Sequence, residues 1–345
     1  MVSVVVLNWN GKKFLGKCLE SLLLQTLDSF EVIVVDNAST DASVEYVRSR
    51  FASVRVIENK RNLGFAAGNN VGIKSSRGRF IVVLNNDTRV SRDFLKSLVE
   101  VALANDSIGS VGCGIVQEDL TVKYGPVFLT RSGVIVGIGD VIRESTDKNV
   151  PVGCLANCGC ATLFRRSALD RMGLFDEDFW ADWEDHDLGF RLALGGYGNV
   201  YTPFKHVLHR GGGSLGPPYA AQRAIRVTRN TLATYFKNFE ARNIPAKFIP
   251  FLTLIMPIKQ ALNPILYEVS ILVFRLTRRE VDSNAIWALR RSYGAWVSGY
   301  VAFLRILPAL AVKRGAIQAK RKTTDSKIVE SQHVKFAGML HPPIM

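Results

Sequence analysis

Four acids, Asp182, Glu184, Asp185 and Asp187, crowd the stretch "FWADWEDHDLGFRL" at 179–192, beside Trp180 and Trp183. Like charges this close repel, so they either sit in water or face a cation or a proton that must be moved. The apolar positions Leu188, Leu192 and Leu194 begin only after the acids, which predicts that the acids occupy the first turn of a helix. A carboxylate there is stabilised by the helix dipole by roughly 0.3–1 kcal/mol. It also stays ionised near neutral pH, as a proton acceptor must. Asp187 can pair with Arg191 at i+4, a structural role, which leaves Asp185 or Glu184 to face a pocket. The two tryptophans offer flat apolar faces of the kind that stack on sugars.

Three further polar clusters stand where β-branched runs stop: "NWNG" (8–11), "DNAST" (36–40) and "NNDT" (85–88). Asp36 suits pairing with a base or ribose donor. Asp87 suits a hard divalent cation that bridges phosphate oxygens. No G-x-G-x-x-G follows the first run and no G-x-x-x-x-G-K-[ST] occurs, which argues against a nicotinamide dehydrogenase and a P-loop enzyme. The five cysteines include "CLANCGC" (154–160) without a second cluster at zinc spacing, so they read as small buried thiols in a reducing compartment.

The elements that must position these groups alternate clearly. "VSVVVLN", "FEVIVVD", "VRVIEN" and "RFIVVLN" read as strands. The segments between them carry helical spacing, as in Phe14, Leu15, Cys18, Leu19, Leu22 and Leu23. Strand, helix, strand, helix in this order predicts an α/β fold, a mostly parallel sheet with helices on both faces. Ligands of such sheets bind beyond the carboxyl ends of the strands, where the three polar clusters fall. From 109 to 165 the pattern loosens into short Gly-interrupted strands, with a loop expected near 143–150. Gly195-Gly196 reads as a helix stop, and "YGNVYTPFKHVLHRGGGS" as a strand pair followed by a glycine loop.

In this order and spacing, "VVVLNWNG", "VIVVDNASTD", "NLGFAAGNNVGI", "LNNDT", "WEDHDLGFRL" and "HRGGGS" resemble the glycosyltransferase family 2 enzymes, and within them a rhamnosyltransferase-like branch. The resemblance covers about residues 2–240 and implies a GT-A fold. It also implies transfer from a nucleotide-diphosphate sugar, deoxythymidine-diphosphate rhamnose being the donor it suggests, to a glycan or lipid-linked glycan, with inversion. By resemblance, Asn8, Asp36, Asn37, Asn62, Phe65, Asn69, Asn86 and Asp87 line the donor pocket. Asp185 is the catalytic base, with Glu184 orienting the acceptor and Trp180 and Trp183 stacking on it. Asp87 and His209 hold Mg²⁺ or Mn²⁺, with His206 the competing ligand. The usual D-x-D is here Asn85-Asn86-Asp87, which keeps only the last carboxylate and lowers the expected metal affinity. A nucleotidyltransferase making an activated sugar would want a Gly-rich basic loop after the first strand, which "NWNGKKF" supplies poorly. A non-catalytic membrane scaffold on the same fold would have no need of Asp87, Asp185 and His209 together.

Charge separates a last region from the rest. Of the formal +14, residues 242–322 carry +11, from 14 Lys+Arg against 3 Asp+Glu. Such a balance points away from nucleic acid and towards an anionic surface met by one end of the chain. "FIPFLTLIMPI" is interrupted by Pro250 and Pro257, with Pro264 beyond it. "SYGAWVSGYVAFL" falls short of the ~20 residues of a span. Joining the latter to "ILPALAV" would bury Arg305, at roughly 2.5–3.5 kcal/mol. Interfacial helices on an anionic membrane are the resulting expectation. The expected division is 1–240 for the transferase domain, with halves at about 1–108 and 109–240. A helical, apolar and basic appendage then spans 241–322, and 323–345 form a weakly ordered tail. "MVSVVVLNWNG" has no basic n-region and reads as a first strand. The expected location is cytoplasmic, peripheral on the inner face of the membrane.

Overall fold

A computed structural model of the chain describes residues 1–117, 122–137, 150–210, 219–245 and 283–332. The chain forms two compact units. The first comprises Met1–Arg131, Ile135–Ser214 and Ala319–Met345, the second Ser132–Val134 and Leu215–Gln318.

In the first unit the β-branched runs become strands β1 (Val2–Asn8), β2 (Phe30–Asp36), β3 (Arg55–Glu58) and β4 (Phe80–Asn85). They are parallel and lie in the order β4–β1–β2–β3. Helices α1 (Lys12–Leu23), α2 (Ser43–Arg50) and α3 (Gly64–Ser75) connect them. Val4, Val6, Val82 and Leu84 pack on Leu15, Cys18, Leu19 and Leu22, so α1 contributes one face of the core. On the other side Gly72 lets α3 approach Val5 and Val35, which any Cβ there would strike. Register decides the site: Asn8 stands opposite Asp36 and Leu7 opposite Asn85, so the three polar strand ends share one edge of the sheet.

The sheet continues through β5 (Thr88–Val90), β6 (Ile108–Val116), β7 (Val122–Tyr124), β10 (Val152–Cys154), β11 (Ala161–Arg165) and β12 (Gly198–His209), while β8 (Val127–Leu129) and β9 (Ile135–Gly137) form a separate hairpin. The full order is β10–β12–β6–β11–β4–β1–β2–β3, with β5 on β12 and β7 on β6. Strand β11 runs antiparallel between β4 and β6, so the turn before it meets the carboxyl end of β4. The expected strand pair at 197–209 is instead one strand, β12. Register shifts between Thr202 and Lys205 and between Lys205 and Val207 absorb Pro203 and set His209 opposite Thr88 of β5. Helices α4 (Phe94–Ala104), α5 (Arg166–Met172) and α6 (Glu184–Leu194) complete this part of the unit. Helix α6 ends at Gly195 and at Gly196 with φ 83°, as the double glycine predicts.

The tail expected to be weakly ordered contains a helix. Asp325–Ser331 form α9, the Thr324 hydroxyl accepting from Lys327 N, with Ile328 and Val329 buried. Lys322 N donates to Leu194 O at 2.7 Å. Short polar side chains at the cap, followed by two apolar residues one turn down, explain the helix. The remainder of the tail, 333–345, lies outside the described residues, as do the loop at 143–149, the glycines at 211–213 and the segment with Pro250, Pro257 and Pro264.

In the second unit, helix α7 (Tyr219–Asn238) packs on α8 (Ser283–Ala319). Phe236 meets Phe303 edge-on at 6.2 Å, Gly299 lies on Ile225 and Thr228, and the Arg314 guanidinium donates to Phe236 O. The two apolar segments expected to be separate are thus one 37-residue helix that runs through Pro308. Its Gly294–Ala319 stretch, with mean hydropathy 1.6, is long and apolar enough to cross a membrane by length and composition.

Candidate active site

The donor-side residues close on one another around Asp36. Asn8 Nδ2 donates to Asp36 Oδ1 at 2.9 Å, and Asn86 Nδ2 donates to Asn8 Oδ1 at 2.7 Å, tying the ends of β1, β2 and β4 together. The Ser39 hydroxyl donates to Asp36 Oδ1 and Ser39 N to Oδ2, at 2.6 and 2.8 Å. Three of the carboxylate's roughly four acceptor positions are therefore used inside the protein. Asn37 Nδ2 donates to Asn62 Oδ1 and to Gly64 O at 3.2 and 3.0 Å, which fastens the start of α3 to the end of β2. A Cβ at Gly11 would lie 2.0 Å from Asn86 Nδ2 and 2.5 Å from Asn8 Oδ1, so only glycine lets the Asn8–Asn86 bond form.

The two metal candidates lie side by side. His209 Nε2 lies 3.1 Å from Asp87 Oδ1, and both side chains are about nine-tenths buried. The bulges of β12 and its pairing with β5 bring this about. The His206 side chain lies outside the described residues. Among the described residues no group of three His, Cys, Asp or Glu could hold a metal. One carboxylate oxygen and one imidazole nitrogen still fit a divalent ion that takes its remaining ligands from substrate phosphates and water.

Glu184, Asp185 and Asp187 occupy the first turn of α6, as their spacing predicts, whereas Asp182 lies before the helix in a left-handed conformation, φ 68°. Asp187 is fully buried and accepts from Arg191 Nε at 2.8 Å, the structural pair expected at i+4. Glu184 is buried, 6% exposed. Asp185 Oδ2 accepts from Gly159 N at 2.9 Å, and its Oδ1 accepts from His186 N at 2.8 Å with His186 Nδ1 at 2.6 Å. The turn Cys158–Cys160 also receives β4: Asn85 N donates to Cys160 O at 2.9 Å. Asp185 and the Asn85–Asp87 strand end are thus bonded to adjacent residues of one turn.

Backbone strain collects here. All six non-glycine residues with positive φ among the described residues lie in the loop after β1 (Asn10), after β2 (Ala38, Ala42) or just before α6 (Trp180, Asp182, Trp183). Such conformations cost of order 1–3 kcal/mol each and persist where the surroundings fix them. Ala66 N donates to Trp180 O at 3.0 Å, and Gly64, with φ 78°, makes room for the Trp180 ring. Trp183 stacks on His186 at 4.6 Å.

Two donor-pocket candidates sit apart from the Asp36 network. The Phe65 ring lies against Gly159, on the Asp185 side, and meets Phe175 at 5.8 Å. Asn69 is fully buried and donates back to Phe65 O within α3. Spacing alone does not single out Ser39, Gly11, Gly159 or His186, although Gly11 and Ser39 lie in the polar strand-end clusters and His186 adjoins the acids. Four of the five cysteines are buried and Cys158 is half-buried; desolvation pushes Cys18 and Cys158 up to about 12.

The sequence model of the family described as Glycosyl transferase family 2 matches residues 3–173, the segment that holds every donor-pocket candidate. Residues 3–173 are a glycosyl transferase family 2 domain. The chain is 28% identical over 250 residues to an N-acetylglucosaminyl-diphospho-decaprenol L-rhamnosyltransferase of Mycobacterium tuberculosis, over 65% of this chain and 80% of that one. It is also 25% identical over 248 residues to an uncharacterized protein of Sinorhizobium fredii, and there it spans about a quarter of the relative's length (66% of this chain, 26% of that one). In fold it is similar to the mannosyltransferase PcManGT of Pyrobaculum calidifontis, solved with GDP-Man and Mn²⁺, with a TM-score of 0.50 at 21% identity over 92% of this chain and 84% of that one. The domain has the GT-A fold expected from the motifs.

His186 governs how Asp185 ionises. Burial raises the carboxyl's pKa, but His186 and the N–H groups of Gly159 and His186 outweigh it and hold the group below its usual 3.8. The Cys158 thiol, kept neutral by burial, lies near both Asp185 and Glu184. His186→Phe keeps a ring on Trp183 and removes the imidazole, so burial weighs more and the Asp185 pKa rises. A base works only when deprotonated, so the acid limb of kcat/KM is expected to move to higher pH. An unmoved limb in the pH–rate profile would leave His186 as a packing residue.

Proposed function

We propose that this chain transfers a sugar from a nucleotide-diphosphate sugar to a hydroxyl of a glycan or lipid-linked glycan, with inversion at the anomeric carbon. The observation that carries the reading is the shared turn Cys158–Cys160, which binds Asp185 on one side and the Asn85–Asp87 strand end on the other. Asp185 takes the proton of the acceptor hydroxyl as that oxygen attacks the face opposite the leaving group. Glu184 orients the acceptor, and Trp180 and Trp183 flank it. Asn8, Asp36, Asn37, Asn62 and Asn86 shape the nucleotide side. Asp87 and His209 would hold Mg²⁺ or Mn²⁺, which when bound neutralises the charge of the departing diphosphate. The similarity to the mycobacterial L-rhamnosyltransferase supports a rhamnosyl donor and a lipid-linked acceptor.

The second unit supports a membrane surface as partner. Val297, Val301, Leu304 and Val312 of α8 are 39, 40, 46 and 76% exposed and recur at helical spacing on a basic helix. On this reading the chain lies on the cytoplasmic face of the membrane. It should float with vesicles rich in anionic lipid, and Leu304→Glu should release it; sedimentation of both forms without vesicles in the same fraction would remove the assignment.

The test of the transferase reading is a thermal-shift panel of nucleotide-sugars. The matching donor at 100 times its Kd stabilises by about 2.7 kcal/mol. That gain should shrink on chelation or in His209→Ala. No stabilisation by any nucleotide-sugar would sink it.

A further inference from the structure

We propose that Lys13, Lys17, Arg89 and Arg210 form an anion subsite beside Asp87 that takes a phosphate group carried by the acceptor. The four line one pocket with Phe14 and Asp87. The Lys13 ammonium and the Arg210 guanidinium both lie over the Phe14 ring, at 4.7 and 5.6 Å from its centre. Lys13 and Lys17 are one turn apart on α1, where like charges repel. Arg89 faces the same pocket from β5, beside Leu208 on β12, and Arg210 N is fixed by Asp87 O at 3.2 Å. Among the described residues none of the four forms an ion pair, and the pocket's single carboxylate, Asp87, is held by His209. Three elements therefore converge four cations on one carboxylate without compensation, an arrangement that repels itself until an anion enters.

Charge separates this anion from the donor. On the proposed reading a divalent ion held by Asp87 and His209 would offset all but about one charge of the donor diphosphate and Asp87 together, which leaves most of the four cations' charge unanswered. A phosphate or diphosphate on the acceptor answers them, and Arg and Lys are the side chains that bind such groups. That the phosphate belongs to an acceptor rests on the transferase reading; the existence of the anion subsite does not.

The experiment uses the full chain and the double variant Lys17→Ala/Arg89→Ala, both residues being exposed at the surface. In chelator, inorganic pyrophosphate titrated calorimetrically is expected to bind the variant at least ~10-fold more weakly, with affinity falling as salt rises. With Mg²⁺ present, a nucleoside diphosphate should bind both forms alike. In transfer assays the variant's KM should rise similarly for a sugar diphosphate acceptor and stay unchanged for the neutral alkyl glycoside of the same sugar. Equal pyrophosphate binding by both forms would overturn the subsite. Equal losses for pyrophosphate and nucleoside diphosphate would assign the pocket to the donor and overturn the proposal. If pyrophosphate binding depends on Lys17 and Arg89 but no nucleotide-sugar binds, the transferase reading falls while the anion subsite stands.

Discussion

Asp185→Asn is expected to lower transfer by about 10²–10⁴-fold while donor affinity stays within about twofold of wild type. The hydrogen-bond count selects the reacting oxygen. With the imidazole proton on Nδ1, Asp185 Oδ1 accepts from both His186 N and His186 Nδ1, which fills it. Among the described residues Oδ2 accepts only from Gly159 N, which leaves it a lone pair for the acceptor's proton. An asparagine has one acceptor oxygen and no basic electron pair on its nitrogen. Its amide must also face either Gly159 N–H or the His186 pair with a donor, so a loss of about 1–3 kcal/mol in stability accompanies the lost base. Single-turnover transfer, donor titration and melting of the same sample separate these effects. Transfer near the wild-type rate would remove Asp185 as the base.

Local spacing made much of this site legible. Asp187 and Arg191 pair because i and i+4 share a helix face, and Asn8, Asp36 and Asn86 converge because parallel strands end at one edge. Spacing is silent about contacts made by register between distant segments. Ser39 supplies two of Asp36's three hydrogen bonds because the loop after β2 turns through left-handed Ala38, and Gly11 is required by a bond between Asn8 and Asn86 that forms only in the sheet. The Cys158–Cys160 turn reaches Asp185 and Asn85 because β11 runs antiparallel beside β4. The reading of 197–209 as two strands failed at Pro203, where bulges carry one strand past a residue that cannot donate to a ladder. The separation of the C-terminal apolar segments failed at Pro308, which the long helix accommodates.

Two residues beyond Asp185, the expected outcome inverts. Asp187→Ala should destabilise the fold by about 3–5 kcal/mol, because it leaves a buried guanidinium without its carboxylate. For a unit of this size that corresponds to a melting point lower by roughly 6–20 °C. Arg191 Nη1 also donates to Met172 O and Gly173 O at 2.9 and 3.2 Å, and Nη2 to Leu174 O at 2.7 Å. Those bonds staple the end of α5 to α6, and the stapled chain leads into the strained turn at Trp180–Trp183. Removing both charges, as in Asp187→Ala/Arg191→Met, relieves the unpaired guanidinium but strands three carbonyls. The double variant should therefore recover only part of the loss, and a double-mutant cycle reads the coupling directly. Turnover per folded molecule should fall far less in Asp187→Ala than in Asp185→Asn. A variant at position 187 that melts within about 2 °C of wild type yet transfers no sugar would exchange the roles of the two acids, since burial at 187 and access at 185 are what divide structure from chemistry within this one helical turn.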